Sequence, residues 1–191
     1  ELERHQAVWA KLFRLLLARD LPGVLAAIER MLASPDDYER ERAAAAAEVL
    51  VESTPEAIPV LARQLVSALA FSGDEERLND PAGGAIVATL TRCLELNVAA
   101  TVDAVEAGAW ELGEGGRREL YRVYDHLGRP GRAQDASISK DVGRAAVDAC
   151  FRRMDGDWGE AAQEAAYHSL EVLAGWHGEL LETHIGALFL R

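Results

Sequence analysis

Residues 40–69, RERAAAAAEVLVESTPEAIPVLARQLVSAL, decide how the chain is read. The stretch divides into two short helical segments at a single turn. Ala43, Ala44, Ala47, Leu50 and Val51 recur at spacings of three and four, which gathers them on one side of a 3.6-period helix. Alanines at such positions cost little side-chain entropy and let a neighbouring helix come close. The turn is Glu52-Ser53-Thr54-Pro55-Glu56. Thr54 is placed to cap the next helix through its hydroxyl, and Pro55 to take its first position, where no N–H is needed. Glu56 then meets the positive end of that helix. The second segment gathers Ile58, Leu61, Ala62, Leu65 and Leu69 on one face, and Pro59, one turn in, predicts a small kink.

A helix pair of this size carries an apolar stripe on both members and cannot bury all of it alone. It needs neighbours on each side, which is the logic of stacked repeats. A gapless shift of 123 residues brings a second copy into register. Glu48-Val49-Leu50 falls on Glu171-Val172-Leu173, Ala43 on Ala166, Glu56 on Glu179 and Leu65 on Leu188. Ile58, Ala62 and Val66 fall on Leu181, Ile185 and Phe189, whereas Leu61 falls on His184. Three repeats of about 41 residues would span that shift, inside the roughly 40–47 of HEAT and armadillo repeats.

Thr54-Pro55-Glu56-Ala57-Ile58-Pro59-Val60-Leu61, following an alanine-rich helix, resembles the short bacterial HEAT-like repeat. The match covers about one repeat, with an echo at 160–190. The aspartate and basic residue that form a ladder between repeats in that family are not evident. The resemblance implies an α-solenoid, and a family made mostly of interaction scaffolds with some enzymes among them.

Composition sets bounds on function. The chain has 191 residues and a net charge of −12, with 49% hydrophobic, 27% charged and only 6% aromatic side chains. Alanine-rich and aromatic-poor, it favours close-packed helices over a β-sandwich. The negative charge is spread along the chain: residues 1–72 hold 8 basic and 11 acidic side chains, 73–127 hold 5 and 11, and 128–191 hold 7 and 10. No third is basic, which argues against a broad phosphate-binding surface. Cys93 and Cys150 each sit in an apolar helical stripe and read as small buried hydrophobes. There is no apolar run of about 18 residues, so no membrane span is expected. No signal peptide is evident either, and the expected location is the cytoplasm. Two lysines against eighteen arginines fit the coding bias of a GC-rich, bacterial genome. The chain starts at Glu1 and ends on an apolar segment at Arg191, as a piece cut from a longer protein would.

Taken in order, the first helix is expected over about 3–18 and the second over about 22–33, burying Leu25, Ile28, Met31 and Leu32. Ser34-Pro35-Asp36-Asp37 supplies a cap, a proline and first-turn acids for the third. After the polar loop 73–79, helices are expected at about 81–96 (Ile86, Leu90, Cys93 and Leu94 inward) and 98–111 (Val98, Val102, Val105 and Ala109). Gly113 to Gly116 is read as ending the latter, before a helix at about 117–127. Beyond the glycine- and proline-containing loop 128–139 lie three more, at about 140–154, 158–174 and 179–190. Pair starts fall near 36, 82, 115 and 158. The expected fold is all-α: ten helices in five antiparallel HEAT-like pairs, as one solenoid domain over 1–191.

Candidate chemistry is sparse. His177, Glu182 and His184 form the best metal-like group, but Gly178 breaks the helix between the histidines, and a partly buried structural His184 is the favoured reading. Gly113-Glu114-Gly115-Gly116-Arg117-Arg118 has the amides and arginines to hold a phosphate, yet lacks the preceding strand and the spacing of a phosphate loop, so it reads as a loop with two surface arginines. The acidic loop holding Asp74, Glu75, Glu76 and Asp80 lacks the alternating ligands of a calcium loop. Trp110, Trp158 and Trp176 read as seals between repeats. No GxSxG, HExxH or CxxC occurs. No catalytic, cofactor or metal residue is therefore assigned.

The expected function is a protein-interaction scaffold, in which the second helices of successive pairs line a concave surface. Helical phase and the family geometry nominate Arg63, Gln64, Asp103, Glu106, Arg152 and Glu182 as partner-binding. The rival is a HEAT-like-fold enzyme acting on nucleic acid, of the alkylated-base glycosylase type. It is disfavoured by the acidic charge and would depend on the arginines over 129–153. Apolar stripes on both end helices leave self-association open.

Overall fold

The computed structural model describes residues 15, 19–71, 81–109, 111–125, 144, 147–151 and scattered positions between 163 and 182. Among these residues all regular structure is helical, and there is no strand. Six α-helices have bounds: α1 Leu21–Leu32, α2 Asp37–Ser53, α3 Ile58–Ala68, α4 Pro81–Leu96, α5 Val98–Ala109 and α6 Glu114–Asp125. Leu15 and Arg19 before α1, and the described residues between 144 and 182 after α6, are also helical. The expected first helix and the last three fall largely outside the described residues, as do both polar loops.

Aspartate side chains satisfy the first amides of α1 and α2. Asp20 caps α1, its Oδ1 accepting from the Gly23 amide at 3.0 Å. A side chain at 23 would collide with that carboxylate, a Cβ lying 2.2 Å from Asp20 Oδ2. Asp36 caps α2, accepting from the Tyr38 amide at 2.9 Å. Ser34 and Pro35 therefore stand outside the helix, and Ser34 Oγ instead accepts from the Asp36 amide at 3.2 Å. The turn after α2 also departs from expectation. Thr54 makes no side-chain cap, and Pro55–Ala57 forms one 3-10 turn that leads into α3. That turn delays α3 to Ile58 and places Pro59 in its first turn, where a missing N–H breaks no helical bond.

The apolar phase of the organising stretch holds. Ala43, Ala44, Ala47, Leu50 and Val51 on α2 are fully buried, as are Ile58, Leu61, Ala62 and Leu65 on α3 and Leu69 just beyond it. Each of the larger side chains contributes about 1.5–3 kcal/mol by leaving water. On α1, Ile28 and Leu32 are buried whereas Leu25 and Met31 are half-buried, because the bounded neighbours α2 and α3 lie on one side of it. On α5 the buried residues are Thr101, Ala104, Val105 and Ala109. Val98 and Val102 stay half-buried, and Thr101 turns inward because its hydroxyl can donate to the Asn97 carbonyl at 2.9 Å.

The helices pack in a consistent order. α2 lies against α4 and α4 against α6; α3 lies against α5; α1 sits on α2 and α3. Two adjacent layers result, α2–α4–α6 and α1–α3–α5, and α4 is buried on nearly every side. Two of its threonines make the interhelical ties. The Thr89 hydroxyl lies 3.1 Å from the Ala44 carbonyl of α2, and the Thr91 hydroxyl 3.5 Å from the Val123 carbonyl of α6. At the surface Arg92 joins α4 to α2 through Glu52, at 3.2 Å, while also binding Glu95 at 2.7 Å. Burial pushes the Cys93 thiol up to about 12, with the Glu48 carboxylate adding to the rise.

Small residues set the close approaches in the second layer. A Cβ at Gly108 of α5 would lie 2.4 Å from Val66 Cγ1 of α3. A Cβ at Gly116 would lie 2.7 Å from the Leu69 carbonyl oxygen. Gly116 is thus a packing residue inside α6, which starts at Glu114, three residues before its expected start. α2 and α4 start at 37 and 81, within a residue of the expected 36 and 82. The buried apolar residues form one cluster from Ile28 to Cys150, with Leu170 and Leu181 packed against it.

Candidate functional site

The outward side of α3 is the complement of its buried stripe. Val60, Arg63, Ser67 and Phe71 follow one another at i, i+3, i+7 and i+11, all exposed. They form a ridge with a cleft on each side. The first cleft, about 270 Å3, lies between α1 and α3 and is walled by Glu29, Leu32, Ala33, Gln64, Ala68 and Phe71, with Arg63 and Ser67 at the ridge. The second, about 200 Å3, lies between α3 and α5 and is lined by Arg63, Ser67, Ala104, Ala107, Gly108 and Glu111. The second cleft exists because Gly108 brings α5 close to Val66, leaving alanines instead of long side chains along its floor.

Two of the six nominated residues meet here. Arg63 belongs to both clefts, and Gln64 lines the first. The Gln64 Oε1 atom is out of contact with solvent and meets no donor among the described residues. Asp103 is exposed and Glu106 half-buried on α5, but neither contributes to a cleft lining. Glu182 is exposed and lines neither cleft. Arg152 lies outside the described residues. Glu29, Ser67, Phe71 and Glu111 were not nominated, although the outward spacing from Arg63 points to Ser67 and Phe71.

One wall of the first cleft rests on a buried cation. Arg40 is fully buried: its Nη1 donates to the Ser34 carbonyl at 2.9 Å, its Nη2 pairs with Asp37 Oδ1, and its guanidinium lies 4.9 Å from the centre of the Phe71 ring. Its Nε meets no acceptor among the described residues. This links the turn before α2 to the end of α3 and fixes the Phe71 ring at the cleft mouth. Nothing in the apolar periodicity marks Arg40, because a charged residue there reads as a solvated helix position.

The glycine-rich segment considered for phosphate is helical from Glu114, and its arginine has another task. Arg117 Nε donates toward the Ala109 and Leu112 carbonyls at 3.0 and 2.9 Å, covering the C-terminal end of α5. Arg118 is exposed. Gly178 and Glu179 are helical, and residues 175–177, where the break between the histidines would show, lie outside the described residues, as do His177 and His184. Among the described residues no group of three His, Cys, Asp or Glu side chains is placed to hold a metal, and no helix is long and apolar enough to cross a membrane. The three tryptophans and the acidic loop also lie outside the described residues. No protein-family model matches the chain, and neither a curated protein nor a solved structure is detectably similar to it.

Proposed function

We propose that the chain is a protein-interaction module, a HEAT-like α-solenoid whose α1–α3–α5 layer receives a partner protein. The observation that carries this reading is the ridge Arg63–Ser67 with a cleft on either side, formed where three helices of one layer run side by side. The stacking of α2 on α4 and α3 on α5 supports the repeat reading, since first helices then neighbour first helices and second helices neighbour second ones. Small side chains in the second cleft suit the approach of a partner's backbone. The ridge carries one cation and two apolar ends, a mixture suited to a protein surface.

The test is affinity capture from the native host's lysate with two baits, the wild-type chain and an Arg63→Glu/Ser67→Trp variant. Both substitutions fall on exposed positions, so the fold should survive, which circular dichroism checks. A protein retained by the wild type and lost by the variant supports the reading. Identical capture by both baits, or none by either, sinks it.

A further inference from the structure

We draw no further inference here: the strongest candidate, the pair of clefts flanking the Arg63–Ser67 ridge of the α1–α3–α5 layer, belongs to the surface already described, and nothing in the structure shows what covers it, since each cleft sets Arg63 against one carboxylate (Glu29 or Glu111) and Gln64 Oε1 is closed to solvent.

Discussion

Gly116 and Gly84 make a matched pair of glycines, each within a helix, and replacing each with alanine separates packing strain from helix propensity. Outside its own helix backbone, a Cβ added at Gly84 in α4 meets nothing within 4 Å. Gly84→Ala should therefore show only the propensity gain, about 0.8–1.0 kcal/mol in favour of alanine. Gly116→Ala earns the same gain but sets its methyl 2.7 Å from the Leu69 carbonyl oxygen and 3.3 Å from Leu112 Cβ. The carbonyl is backbone at the end of α3 and cannot swing aside as a side chain would. Overpacking of this kind costs about 1–3 kcal/mol, so the net effect at 116 runs from neutral to a loss of about 2 kcal/mol. In a chain of this length 1 kcal/mol moves the midpoint by about 2–4 °C. Thermal and urea melts of both variants, followed by circular dichroism, should show Gly84→Ala raising the midpoint and Gly116→Ala leaving it unchanged or lower. Equal stabilisation by both would refute the close contact between α6 and the end of α3, and with it the account of why α6 starts in a glycine pair.

Three further variants probe the ties between helices. Thr89→Val keeps the side-chain shape but removes the hydroxyl shared between α4 and α2, and should lower stability by about 1 kcal/mol in urea melts; no loss would mean that the hydroxyl bonds only within α4. Arg40→Ala removes a fully buried side chain together with its contacts to Ser34, Asp37 and Phe71. It should cost about 3–5 kcal/mol and be insensitive to salt, whereas a small, salt-screened effect would place Arg40 at the surface. Cys93 titrates near 12 in the folded protein against about 9 when exposed, so the folded form holds its proton longer as pH rises. Its contribution is fully present below pH 9 and lost between 9 and 12, at about 1.4 kcal/mol per pH unit within that window. Cys93→Ala should therefore flatten the alkaline decline in the thermal midpoint, and an unchanged slope would contradict burial of the thiol.

Periodicity made the core of residues 40–69 and of α4 legible, because burial there follows a single repeating face. Ile86, Leu90, Cys93 and Leu94 were expected inward and are fully buried. The starts of α2 and α4 were legible for a related reason: prolines and acids concentrate there, at Pro35-Asp36-Asp37 and Asp80-Pro81. What periodicity missed were side chains acting against their type. Arg40 is charged and buried, Thr101 is polar and displaces two valines from the inner face of α5, and Gly116 sits inside a helix instead of ending one. Each depends on a partner distant in sequence or on one specific hydrogen bond, and neither leaves a mark on an apolar pattern. The cleft was half legible for the same reason. Arg63 and Gln64 follow from the phase of α3, but Glu29 enters only once α1 is known to pack beside it.

The two threonine ties of α4 bear on how the molecule loses structure. α4 touches α2, α3, α5 and α6, so its amides can reach solvent only after neighbours in both layers have moved. Hydrogen exchange should be slowest there, and slow also in the middle of α2, whose Ala44 carbonyl is joined to Thr89. Clefts on the α1–α3–α5 layer lie one helix away from this slow-exchanging centre. A partner seated in them should register as added protection along α3 with little change in α4.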